Sequence, residues 1–132
     1  MDKKFFVPFE TAKQLKEKGY NEKISYAYNK VRRIVRAGVI DCNNTDWDNL
    51  CKVQSSYPPR LDYIAAPTYH EVVDWLEGKG IEITSRKVYN FRTGQWEWRG
   101  NAKNEEYSFF ELGVTREAAI NAAILHALEE MI

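Results

Sequence analysis

Chemistry on a substrate needs a nucleophile or titratable group held beside a partner that tunes it. This chain of 132 residues offers few such pairs. Its two histidines, His70 and His126, fall in separate predicted helices, and neither belongs to a Ser-His or Cys-His pattern. His70, in the first turn of its helix, is expected on the surface. Cys42 and Cys51 stand nine apart, with no CxxC and no histidine close by. A disulfide or a metal site is the functional alternative there, but two reduced thiols account for the pair more simply.

The segment Asp41-Cys42-Asn43-Asn44-Thr45-Asp46 places oxygens at alternate positions, as a calcium loop does. It fails the rest of that pattern. Asp46 stands where a glycine must turn the chain, and Lys52 where a bidentate glutamate must close the shell. The pairs Glu105-Glu106 and Glu129-Glu130 read as solvated carboxylates. No P-loop, dinucleotide fingerprint, nucleophile elbow or HExxH occurs. The expectation is therefore no catalytic residue, no metal ligand and no cofactor.

Aromatic and cationic residues are better placed. Trp96 and Trp98 flank Glu97, Arg99 follows, and Arg86, Lys87 and Arg92 stand close in sequence. Exposed rings among cations can stack on bases or anchor a protein partner. The structural alternative, which the sequence favours, has both indoles facing a helical layer and filling the core. The run Lys30-Val31-Arg32-Arg33-Ile34-Val35-Arg36 holds four cations in seven residues. In a strand, Lys30, Arg32 and Arg36 would line one side, as a phosphate patch or as an ordinary solvated face or protected edge. Asp41, Asp46 and Asp48 could neutralise it, and the solvated face is the preferred reading. The candidate interaction surface comprises Arg32, Arg33 and Arg36, then Arg86, Arg92, Trp98, Arg99 and Tyr107.

The elements that must position these residues follow from periodicity. Phe9, Ala12 and Leu15 form one stripe of a helix over residues 9–18, entered at Pro8 and left at Gly19. Ile24 to Tyr28 predicts a strand. Asn29-Lys30 then turns it into a second strand through Val31, Arg33, Val35, Ala37 and Val39, although the same stretch also fits a helix; its β-branched content and Gly38 favour the strand. Residues 41–60 look irregular, with one helical turn at 46–50. Pro58-Pro59 blocks any regular element and marks the boundary of an N-terminal subdomain.

In the second half, Thr68 and Glu71 form a capping box ahead of Tyr69, Val72, Val73 and Leu76, and Gly78-Lys79-Gly80 ends that helix. Strands follow over residues 81–84, extendable to Phe91, then over 95–99 and 107–110. Thr93-Gly94 is the hairpin turn, and residues 100–104 form a loop. A closing helix starts near Thr115 and runs through Ala118, Ile120, Ala123, Ile124, Ala127, Leu128 and Met131. The fold class is α+β. One domain holds an N-terminal helix-plus-hairpin subdomain (1–60) and an α-β-β-β-α half (61–132), with both helices on one face of the sheet.

Three segments carry a resemblance: Phe6-Val7-Pro8-Phe9-Glu10, Leu15-Lys16-Glu17-Lys18-Gly19-Tyr20-Asn21-Glu22, and Ala65-Ala66-Pro67-Thr68-Tyr69-His70-Glu71-Val72-Val73-Asp74-Trp75-Leu76. They resemble small proteins of bacteriophages and integrated elements of Bacteroidales, a family without an assigned activity. The resemblance spans nearly the whole chain and departs after Glu22, where such proteins often have Pro-Cys and this chain has Lys23-Ile24. It implies a mobile-element origin. The α-β-β-β-α order also resembles a double-stranded-RNA-binding domain, as does the segment from Arg116 to Ala123. RNA-binding members carry several lysines at the start of that last helix. This chain has Arg116 alone there, followed by Glu117, Ala118, Ala119 and Ile120, so the phosphate clamp is missing.

Lys+Arg and Asp+Glu both number 19, so no overall basic excess draws the protein to nucleic acid. The start of the chain is too short in apolar residues before Pro8 for a signal-peptide core, and no run approaches the ~20 apolar residues of a membrane span. The expected location is the bacterial host cytoplasm. Aromatics at 14% exceed what one small core obviously needs. The expected role is a non-catalytic accessory protein of a mobile element, acting through a protein partner or self-association. A nucleic-acid-binding accessory protein is the alternative.

Overall fold

The computed structural model describes residues 3–20, 22, 24–29, 31–40 and 64–132. The expectations for Lys30, the irregular stretch and helical turn within 41–60, the aspartates at 41, 46 and 48, Cys42 and Cys51, and the Pro58-Pro59 boundary lie outside these residues. The chain divides into two compact units, one of residues 8–67 and the other of residues 1–7 with 68–132. The architecture is α+β, and the described residues form two three-stranded antiparallel sheets.

In the first unit, α1 (Phe9–Glu17) buries Thr11, Ala12 and Leu15. Gly19 ends it at φ 90, which lets the amides of Lys18 and Tyr20 turn back onto the carbonyls of Gln14 and Leu15. Strand β1 (Ile24–Tyr28) lies between β2 (Ile34–Ile40) and β3 (Ile64–Ala65). The β1–β2 hairpin is as expected, but its loop is longer. Asn29 Oδ1 accepts from the amides of both Val31 and Arg33, and Arg32 sits at φ 62, so β2 starts at Ile34 and not at Val31. Arg32 consequently does not share a strand face with Arg36. It lies over the Phe9 ring, with Glu10 3.4 Å away.

In the second unit, a short 3-10 turn (Lys3–Phe5) leads to Phe6, which pairs with Thr68 in an isolated antiparallel bridge. The capping box forms as read. Thr68 Oγ1 accepts from the Glu71 amide while Glu71 takes the Thr68 amide, and α2 (Tyr69–Glu77) follows. The sheet runs β4 (Glu82–Asn90), β5 (Gln95–Lys103), β6 (Ser108–Gly113) in that order. Helix α3 (Arg116–Glu130), capped by Thr115, packs across all three strands. Helix α2 packs on β4 and touches α3, so both helices share one side of the sheet.

Residues 100–103 are strand, not the predicted loop. The small residues Gly100 and Ala102, on the helix side of this strand, let α3 lie close. A Cβ on Gly100 would overlap the Ala119 carbonyl, and one on Gly113 would crowd the Ala119 amide. The core beneath contains Ile83, Ala102, Ala119, Ala123, Ile124 and Leu128.

Candidate interaction surface

Strand register decides which side chains meet. Ile83, Ser85, Lys87 and Tyr89 stand opposite Ala102, Gly100, Trp98 and Trp96, and directly opposed residues in an antiparallel pair share a face. The buried Ile83 and Ala102 identify this as the helix side. Both indoles therefore point where the sequence placed them.

Covering ends sooner than the strands do. Strand β6 pairs with β5 only from Lys103 to Trp98, and α3 crosses at the level of Gly100 and Gly113. The last rungs of the β4–β5 hairpin have neither neighbour. Trp98 is accordingly half-buried, but Trp96 is 62% exposed, which corrects the expectation that both fill the core.

Tyr89 (41% exposed) and Phe91 (90% exposed) join Trp96 there. The Tyr89 ring meets Phe91 at 5.0 Å and 83°, and Trp96 at 5.3 Å and 65°, an edge-to-face cluster. Lys87 Nζ lies 5.9 Å from the Trp96 ring centre. The turn that presents this cluster is closed by the Gly94 amide donating to the Asn90 carbonyl, with Gly94 at φ 72. Asn90 stiffens it further. Its Oδ1 accepts from the Arg92 amide and its Nδ2 donates to the Glu97 carboxylate.

The other sheet face carries Arg86, Val88, Arg99, Phe110 and Leu112. The Arg99 guanidinium lies 4.0 Å above the Phe110 ring, and its Nε donates to Asn101 Oδ1. Of the predicted surface residues, Arg86, Arg92, Trp98 and Arg99 thus belong to one hairpin. Tyr107 does not join them. It lies at the far end of the sheet, with its ring 5.6 Å from that of His126, which in turn stacks on Phe109 at 3.5 Å. Arg32, Arg33 and Arg36 are exposed in the other unit. Tyr89, Phe91 and Phe110 were missed. Alternation from Val88 to Phe91 was the available signal for the first two, and Phe110 required the strand register.

Between Glu82 and Lys103 the hairpin holds five cations and two carboxylates, which makes it basic within a neutral chain. His70 is exposed and faces Asp74 at 3.4 Å. Among the described residues, no three His, Cys, Asp or Glu side chains gather to hold a metal ion, and no helix is long and apolar enough to cross a membrane. No family model matches the chain, and none of the curated proteins or solved structures matches it.

Proposed function

We propose that the protein is a non-catalytic interaction module, an accessory of a mobile element, that engages an acidic protein partner through the aromatic end of the β4–β5 hairpin. The observation that carries this is the Tyr89–Phe91–Trp96 cluster, solvent-facing beyond the reach of α3 on a turn with ordered side-chain bonds. Rigid aromatic anchors beside arginines are the chemistry of interface hot spots, and they lose little conformational freedom on docking. The excess of Arg and Lys on the hairpin supplies the complement to an acidic surface.

Ring geometry supports this reading over base stacking. A single-stranded nucleic acid needs open, flat ring faces. Here Tyr89 packs edge-to-face with both neighbours, Lys87 lies near the Trp96 ring, and Arg99 already covers Phe110. The cluster is a knob that suits a pocket.

Selection of random displayed peptides on the full chain tests the reading. Enriched sequences should be acidic with an apolar anchor. They should bind a Phe91→Ser/Trp96→Ser variant at least about tenfold more weakly, the loss of roughly one hot-spot contact, while far-UV circular dichroism is unchanged. Peptides that bind the variant equally well refute it. So does salt-sensitive binding of oligothymidylate that Arg92→Gln weakens, or a dimer in sedimentation that Trp96→Ser dissociates.

A further inference from the structure

The second unit also contains a cleft of about 680 Å³ that shares no residue with the hairpin end. Four pieces border it: the 3-10 turn, the first turns of α2 and α3, and the start of β4. Its walls are mainly apolar, from Phe5, Tyr69, Val73, Ile83 and Ile120. Ile83 is buried while Val73 and Ile120 are half-buried, so these side chains form a floor and not a stray exposed patch. The volume lies in the range of small-molecule sites, which pair a mostly apolar lining with a few fixed polar groups.

The polar group here is Arg116. Its Nε donates to Ser85 Oγ at 3.3 Å, which tethers the side chain across the mouth between α3 and β4. No carboxylate pairs with this guanidinium among the described residues, although Glu117 also lines the cleft. Lys4 adds a second cation on the opposite border, its Nζ 5.4 Å from the Phe5 ring centre. A guanidinium anchored beside apolar walls, with donors to spare, matches an anionic head on an apolar body.

We propose that this cleft binds a small amphipathic anion, with its apolar part against Val73, Ile83 and Ile120 and its charged group at Arg116. Metabolite-sized aromatic or aliphatic carboxylates and sulfonates have this chemistry.

Two matched probes test it on the full, methyl-labelled chain: anilinonaphthalene sulfonate, and phenylnaphthylamine, which has the same ring body without the charge. The expected result is saturable binding of both, with methyl shifts at Val73, Ile83 and Ile120. The sulfonate should bind about tenfold more tightly, the scale of one charge-assisted hydrogen bond. Arg116→Gln, at an exposed position, should erase that difference and leave the neutral probe unaffected. Equal affinities in the native protein overturn the proposal, as does binding of neither probe. Shifts centred on Val88 and Leu112, at the hairpin, overturn it as well.

Discussion

Replacing Gly100 by alanine adds one methyl group at the point where α3 crosses β5, and the structure sets the cost. The new Cβ would overlap the carbonyl of Ala119, a backbone atom that no rotamer change can move. The helix must lift or the strand must sag. Overpacking of this kind costs about 1–3 kcal/mol, and an immovable obstacle places Gly100→Ala near the upper end, about 3 kcal/mol. A chain of 132 residues lies between the sizes for which each kcal/mol shifts the melting temperature by roughly 4–8 °C and roughly 2–4 °C, so a fall of about 12 °C is expected. Thermal and urea unfolding followed by circular dichroism measure it. Gly78→Ala is the matched control. That glycine has helical φ −61 and ψ −19, and the nearest atom to an added Cβ is 3.4 Å away, so alanine should be neutral or stabilise by about 0.5–1 kcal/mol. A second discriminator is Ala119→Gly. Because the conflict is with the carbonyl and not with the Ala119 methyl, this change should not rescue Gly100→Ala. A loss below about 1 kcal/mol, or full rescue by Ala119→Gly, would refute the close helix–sheet contact from which the exposed hairpin end was deduced.

Thr68→Ala removes the hydroxyl half of the capping box and should cost about 1 kcal/mol in urea unfolding, with Glu71→Ala not fully additive to it. His126→Leu should stabilise by about 1 kcal/mol, since its buried Nε2 has no hydrogen-bond partner among the described residues and the imidazole lies flat on Phe109. Burial of Tyr28 raises the pKa of its phenol, so the folded state holds the neutral form longer than the unfolded chain does. The stability this gives is complete below about pH 10, where the unfolded phenol begins to ionise, and is lost as pH rises through the raised value; Tyr28→Phe should flatten that alkaline fall in a pH series of unfolding curves.

Elements with local signals were legible. Helix α1 with its Gly19 stop, the Thr68 capping box and the Thr115 start of α3 are each written within four or five residues, and each stands where the sequence placed it. What failed depended on partners distant in sequence. Gly100, Asn101 and Ala102 have loop composition, yet Gly100 and Ala102 are small because a helix more than fifteen residues later rests on their face of the strand. Trp96 and Trp98 alternate identically, and the stopping point of β6 together with the level at which α3 crosses makes one half-buried and the other exposed. The same dependence hid the Arg99–Phe110 pair. Tyr107, which the sequence places in one candidate surface with Trp98 and Arg99, is carried by the β5–β6 reversal to the opposite end of the sheet.

The bridge between Phe6 and Thr68 has a consequence for biosynthesis. The chain contributes Met1–Val7 to one compact unit, departs through residues 8–67, and returns at Thr68. Phe6 must therefore wait through the sixty residues of 8–67 before Thr68, with which it forms this bridge, is made. Closing so long an excursion costs little more than closing a short one, because the entropic penalty grows only logarithmically with length. A short glycine linker joining Val7 to Thr68 would bypass the entire excursion, and the excised version would bring Phe6 to its partner as soon as Thr68 emerged.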